Sequence, residues 1–440
     1  MGAVGPTDDG AARAALAGRI HALLDAGVDG NAGPFDALAL DIFAYQYACN
    51  IPYRNYCDAL GRTPGNVDSW HDIPAFPSES FKTELVTSFP FDQAVMAQLT
   101  GGTTAIKRGQ IFRDDIGREL VLKANRIMTA ACLFPDFATG QRCRVLILAP
   151  SPEMAPSMGM AIGMEETRRH FGTPDSRFLL SHSGIDVAAL VAALSESEAS
   201  GVPVAMIGST SAFVFFFNAC RARGVSFHLP AGSRIGDGGG YRGRFGEMTQ
   251  EDYLRLAWEV LGIPFSHCVN VLGMAESATN FFDDTLRCAI AGEPQRRMRR
   301  CPPWTRTVAV SIDTLTELPP GEVGLLRHYD VVNLPTVLAV QTDNLGYTDG
   351  EGSFQIVGRA QRDAQGKVSL LPSERTVGPM GDKRIFRMLE AYVNFSIRFK
   401  AGRLKARTPM VPPACPCGEL ADSMIEETSA DALAKPARAS

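Results

Sequence analysis

The chain has 440 residues, 45% of them hydrophobic, and sets 43 Lys and Arg against 48 Asp and Glu for a net charge of −5. That is enough apolar material for about two or three folding units around buried cores. The charges are dispersed except at "RRMRR", residues 296–300, so no basic face points to nucleic acid, and no apolar run nears the roughly 18 residues of a membrane span. Ten scattered cysteines and a start without a basic-then-apolar leader lead us to expect a cytoplasmic protein with reduced thiols.

Apolar residues recur at helical spacing over residues 10–27 and 36–60, which predicts two opening helices before the Pro-rich connector "DIPAFPSESF". "VMAQL" and "GQIFR" then predict two short strands around residues 101–108. From Arg142 the apolar runs "RVLILAP", "SRFLLS" and "PVAMIGST" alternate with helical stretches near Met158 to His170, in "IDVAALVAALSES" and in "SAFVFFFNACRARG". This rhythm predicts a parallel, doubly wound sheet whose ligands collect at strand carboxyl ends. A further strand is expected at "SFHLP", and another at "HCVNV" running into the loop "LGMAES". Residues 307–360 read as a β meander. Periodicity fades after Arg359, and the final "SADALAKPARAS" is expected to be disordered.

Four polar, glycine-containing clusters fall at or beyond these strands. The first runs from Gly101 to Arg108. It combines Gly101 and Gly102, whose bare backbone can approach an anion, with the hydroxyls of Thr103 and Thr104 and the cation Lys107. It can cradle nucleotide phosphates or close a polar hairpin, and it lacks the Gly-Lys-Ser/Thr ending of a Walker loop. The second, "DGGGYRGR" from Asp237, offers Gly239 and Gly240 as a flat wall with Arg242 and Arg244 for anions. In the third, "LGMAES", Gly273, Met274 and Glu276 follow a strand, where the Glu276 carboxylate can hold a Mg2+ that bridges phosphates. The fourth, "QTDNLG", supplies Asp343 and Asn344 as acceptors for ribose hydroxyls. Each cluster alone is also ordinary turn chemistry; the order of all four carries the information. His328, in "RHYD", reads as a satisfied core histidine rather than a base.

That order, with "FAYQYACNIPYRNYCDAL", "IPAFPSESFKTE", "LPAGSRIGDGGGYRGR", "LLRHYDVVNLPTVLAVQTDNLG" and "FQIVGRA", resembles the adenylate-forming superfamily from about Phe43 to Ala360. Within it the chain is most similar to the acyl-protein synthetases of bacterial bioluminescence, the long-chain-fatty-acid luciferin-component ligases. The resemblance implies an α/β fold, with a large N-terminal domain of doubly wound sheets and a β meander, and a reduced C-terminal domain. Its parts would be a helical segment 1–62, an AMP-binding core 63–358 and a short C-terminal region 359–440. It also implies ATP and Mg2+ as cofactors and a carboxylic-acid substrate that is joined to AMP with release of pyrophosphate. An acyl-CoA or acyl-protein reductase, or a carrier protein, would be the partner. Carried onto these residues, the family's phosphate loop falls on Gly101 to Ala105, with Thr104, Lys107 and Glu276 in catalytic roles. The glycine motif falls on Gly238 to Arg242, the metal segment on Gly273 to Glu276, the ribose position on Asn344 and the hinge-side arginine on Arg359.

Several positions depart from the family pattern. Leu272 stands where an adenine-stacking Tyr is common, Ala275 replaces Thr, Arg242 replaces Lys, and Asn344 replaces an acidic residue. Neighbours on an extended segment face opposite ways, so Asp343 is not expected to substitute for that acid. Val368, in "GKVSLL", occupies the place of the acyl-accepting cysteine, and a valine forms no thioester. Cys415 and Cys417 are the remaining candidate acceptors; otherwise they read as a surface turn or half a metal site. An external acceptor is therefore expected, which keeps open a phenylacetate-type acyl-CoA ligase and a ligase for a small amine or carrier thiol, while the Leu272 and Asn344 changes also allow a non-catalytic scaffold for a partner reductase. "GMAIGM" and "SAFVFFF" could line an acyl pocket, with core helix the expectation.

Overall fold

The computed structural model describes residues 9–100, 109–181, 184–239, 242–243, 246–247, 249–362 and 368–372. The chain opens with the helices Asp9–Asp25, Phe35–Cys49 and Ile51–Ala59. The second predicted helix is thus two. Asn50 leaves the helical region (φ −104°, ψ 98°), its side chain accepts from the Tyr53 N–H, and Pro52 starts the next helix, where a missing N–H leaves nothing unpaired.

The predicted parallel sheet is present. Its order is Phe281–Phe282, Cys268–Leu272, Arg234–Gly238, Val204–Ser209, Arg144–Leu148 and Arg177–Phe178, and all but the Phe281 edge strand run parallel. Alternate residues of these strands feed two cores. Leu146, Leu148, Met206 and Ile235 join Phe213, Phe216, Phe217 and Tyr253 of the helices Thr210–Ala222 and Gln250–Leu261. Val145, Ile147, Ala205 and Ile207 face the other way, onto Leu120, Ala124 and Met128 of the helix Asp115–Leu133. Three phenylalanines of "SAFVFFF" therefore belong to the core.

Three of the described α-helices escaped the sequence reading, the short Thr285–Ala291 among them. Asp115–Leu133 is capped by Asp114, which accepts from the Gly117 N–H. Gln250–Leu261 lies between Thr249, whose side chain accepts from the Asp252 N–H, and Gly262 in the left-handed region at φ 68°. The strand expected at "SFHLP" is absent. The amides of Phe227 and Leu229 donate instead to the carbonyls of Val260 and Leu261 at 2.7 and 3.0 Å, closing the end of a helix rather than joining a ladder. The strand follows at Arg234–Gly238.

The expected meander forms a second sheet in the order Arg299–Arg300, Ser353–Arg362, Ala339–Thr348, Gly324–Asp330 and Thr305–Val310. Phe76–Pro77 adds in parallel to Ala339–Thr348. Regular structure continues past Arg359: its strand runs to Arg362 and pairs with Val368–Pro372. The second sheet shares its core with the Asp115 helix and the opening helices, so that long helix is packed between the two sheets.

Candidate active site

The hairpin expected from "VMAQL" and "GQIFR" is formed by Met96–Leu99 and Gln110–Arg113, with Leu99 opposite Gln110. Gly101, Gly102, Thr103, Thr104 and Lys107 lie outside the described residues. The neck below them is closed tightly: Thr100 N–H donates to the Gly109 carbonyl and Gly109 N–H to Thr100 Oγ1, both at 2.9 Å. A methyl group on Gly109 would lie 2.7 Å from Thr100 Cγ2 and 3.1 Å from Phe81 Cβ. Leu99 N–H donates to the Ser157 carbonyl at 3.1 Å, which ties the hairpin to the start of the helix Gly159–Phe171.

The strands Arg234–Gly238 and Cys268–Leu272 run parallel, with Gly238 beside Val271, so Gly239 and Gly273 leave the sheet at one edge. Gly239 has φ 115°, a conformation that disfavours any side chain. Beneath it Asp237 accepts from Thr210 Oγ1 at 2.6 Å and Asn270 Nδ2 at 3.0 Å. Burial pushes its carboxyl up to about 6 against the pull of those two donors. Gly240 lies outside the described residues.

The loop after Leu272 is held at several of its backbone groups. Arg113 Nη2 donates to the carbonyls of Ala275 and Ser277 at 3.1 and 3.4 Å, and Asn333 Nδ2 donates to that of Glu276 at 2.8 Å. Asp330 Oδ2 accepts from the Ala278 and Thr279 amides at 3.1 and 2.8 Å and from Ser277 Oγ at 3.1 Å. The Glu276 side chain is half-buried. Burial raises its carboxyl from the ordinary 4.5 to about 7; its own backbone amide, Arg359 and Lys82 pull it down, and Asp343 pushes it up.

The second sheet stands against this loop. Asn344 is buried, accepts from Arg359 Nε at 3.3 Å and reaches Met274 Sδ at 3.5 Å. Asp343 Oδ1 lies 3.6 Å from the same Arg359 nitrogen. The alternation rule therefore fails here, for a visible reason. Leu325 pairs with Leu345 and Arg327 with Gln341, so Thr342, Asp343 and Asn344 oppose Leu326 alone, and this bulge turns two neighbouring side chains toward one cation.

Of the residues singled out by sequence, the structure brings together Met274, Glu276, Asp343, Asn344 and Arg359. Leu272 is packed against the Phe281, Leu326 and Phe354 cluster. His328 is in the core, as expected: burial lowers it to about 3, it lies between Phe281 and Phe354, and its Nδ1 is 2.9 Å from Thr307 Oγ1. It is not fully satisfied, because Nε2 has no partner among the described residues. Sequence reasoning missed Lys82, Arg113, Asp330 and Asn333. Asp330 and Asn333 stand in the quoted "LLRHYDVVNLP", whose pairing of an acid and an amide around a turn was an available signal. Cys415 and Cys417 lie outside the described residues.

Residues 24–374 match the model of the family described as acyl-protein synthetase, LuxE. The chain belongs to this family. It is 23% identical over 306 residues to the long-chain-fatty-acid–luciferin-component ligase of Vibrio harveyi, covering 69% of this chain and 76% of that one. To the ligase of the same description from Aliivibrio fischeri it is 22% identical over 313 residues, covering 71% and 78%. Among solved structures it is similar to an open conformation of 2-hydroxyisobutyryl-CoA ligase in complex with 2-HIB-AMP and CoA. That likeness has a TM-score of 0.54 at 11% identity, over 87% of this chain and 93% of that one, and it shows a shared fold. Family membership makes this chain a ligase of the acyl-activating class and favours that reading over the phenylacetate-type alternative. No described helix is long and apolar enough to cross a membrane.

Proposed function

We propose that the chain activates a carboxylic acid with ATP by adenylation and passes the acyl group to an external acceptor. The observation that carries this reading is the convergence of Met274, Glu276, Asp343, Asn344 and Arg359 at the carboxyl edge of a parallel sheet, next to the hairpin strands Met96–Leu99 and Gln110–Arg113. In the reaction a carboxylate oxygen attacks the α-phosphorus, the bond from that phosphorus to the bridging oxygen breaks, and pyrophosphate leaves with the electron pair. No proton need move, so the protein's task is positioning and charge neutralisation.

Thr103 and Thr104 would donate to the phosphates, with Lys107 adding charge. Gly239 and Gly240 would form the wall against the adenine or acyl group, Asn344 and Asp343 would take the ribose hydroxyls, and Arg359 the sugar or phosphate. The donor set suits a Mg2+ carried on the nucleotide. Glu276 is one half-buried carboxylate with Asp343 near it, and no group of three His, Cys, Asp or Glu among the described residues could hold a metal alone, which matches an ion held by one or two carboxylates plus phosphate oxygens. When bound, that ion would neutralise phosphate charge. The names of the relatives point to a long-chain fatty acid as substrate. With Val368 at the cysteine's place, the acceptor would be a carrier protein, a reductase or a small thiol. The ATP requirement suits the cytoplasm.

Carboxylate-dependent exchange of labelled pyrophosphate into ATP, across fatty acids of increasing length and aryl acids, tests the reading. Exchange with long-chain acids is expected. Exchange with none, in folded protein with Mg2+, would leave the scaffold reading standing.

A further inference from the structure

We propose that Arg113 is a positioning residue that couples the phosphate hairpin to the metal-holding loop and fixes Glu276 for the nucleotide. The proposal rests on the reading of Glu276 as the metal carboxylate. Arg113 is fully buried at the end of the strand Gln110–Arg113. Its Nη1 donates to Gln98 Oε1 on the opposite strand of the hairpin. Its Nη2 donates to the carbonyls of Ala275 and Ser277, the residues on either side of Glu276, so one guanidinium brackets that residue. Nε has no partner among the described residues. Among the described residues no carboxylate hydrogen-bonds the group, and Asp330 and Glu276 act on it through space.

A buried guanidinium without a direct carboxylate partner is a costly strut, and neutral side chains would hold two carbonyls with less desolvation. What the guanidinium adds is a fixed fork that spans two carbonyls and an amide at once. Its other end is equally constrained. A methyl group on Gly159 would lie 2.8 Å from Gln98 Nε2, and Leu99 is bonded to Ser157. The hairpin neck, the start of the Gly159 helix and the Glu276 loop therefore meet through Gln98 and Arg113. A shift of the hairpin on binding phosphate is carried to the carboxylate loop by this link.

The test compares wild type, Arg113→Lys, Glu276→Gln and the double variant in pyrophosphate exchange at saturating ATP and acid, with Mg2+ titrated, and records melting temperatures. Residues that orient a metal ligand change metal affinity by about 10- to 100-fold when replaced. Arg113→Lys should raise the half-saturating Mg2+ concentration by at least about tenfold with little change in the KM for acid, and should add little on the Glu276→Gln background. A normal Mg2+ requirement in Arg113→Lys beside an impaired Glu276→Gln refutes the coupling and leaves the metal reading intact. Wild-type exchange in Glu276→Gln refutes the metal reading and this proposal with it. Full additivity in the double variant also overturns the proposal. Should Arg113→Lys not fold, Gln98→Leu removes the hairpin end of the link; a raised Mg2+ requirement supports it, and a normal one refutes it.

Discussion

Glu276 shows how one residue's surroundings set its chemistry. Burial lifts its carboxyl to about 7 from 4.5, with Asp343 adding to the rise and the Arg359 and Lys82 charges opposing it. A carboxyl whose folded value is raised weakens the fold as it ionises, so the penalty is absent below pH 4.5, grows between there and 7, and is complete above. Glu276→Gln should therefore stabilise the protein most at pH 8, by about 3 kcal/mol at most, and clearly less at pH 5, where the penalty has only begun to grow. Urea denaturation at the two pH values measures the difference; equal effects at both would mean the carboxyl titrates normally. Activity should follow the opposite sense, because only the ionised form holds a cation. The exchange rate of wild type at limiting Mg2+ should rise through about pH 7, and Glu276→Gln should lose that limb together with about 10- to 100-fold of its rate. Glu276 and Met274 were legible because both sit in a short motif just past a strand. Arg113 was not, because its meaning depends on Ala275, 162 positions away, and nothing local distinguishes an arginine that ends a hairpin from one in solvent.

Elements place these residues, and their ends matter most. Asp114 caps the Asp115 helix immediately after Arg113 and is bonded through both carboxylate oxygens to Arg13 of the opening helix. Both side chains are almost wholly buried. Arg13→Met would leave that carboxylate without its cation, which costs about 3–5 kcal/mol in comparable buried pairs. A shift of that size in urea unfolding is expected, with the exchange rate of the remaining folded protein near normal; an unchanged midpoint would mean the pair contributes nothing net. The alternating strands and helices from Arg142 onward were readable, since a two-sided parallel sheet needs apolar runs of strand length separated by amphipathic helices. The Asp115 helix was not legible, although Leu120, Val121, Ala124 and Met128 give it a buried stripe, because Gly117 in its first turn and the charged Arg118, Glu119, Lys123 and Arg126 interrupt its apolar run. The bulge at residues 342–344 could not be read at all: it follows from the register between two strands, which no single segment encodes.

At the scale of the whole molecule the two sheets meet around the Asp115 helix, and each brings its own share of the site. The parallel sheet offers Gly239, Met274 and Glu276 from strand ends, and the meander offers Asp343, Asn344 and Arg359. Val368 lies opposite Arg362 at the start of the last described strand; with Val368 at the proposed acyl-accepting position, no covalent acyl-enzyme is predicted there. Incubation with labelled fatty acid, ATP and Mg2+ should give no hydroxylamine-sensitive label on that strand, and label should pass to added carrier protein or thiol. Stoichiometric label on Cys415 or Cys417, lost with turnover in Cys→Ser variants, would restore an acyl-protein route with a relocated nucleophile.

The central claim is attack by the carboxylate at the α-phosphorus, and isotope position tests it most directly. A long-chain acid carrying 18O in both carboxyl oxygens is turned over with ATP, Mg2+ and hydroxylamine as the acceptor, and the nucleotide products are analysed by mass spectrometry. Adenylation transfers one 18O to AMP, and we predict AMP with one heavy oxygen alongside unlabelled pyrophosphate. Heavy oxygen in inorganic phosphate with ADP as the nucleotide product would show attack at the γ-phosphorus and contradict the account.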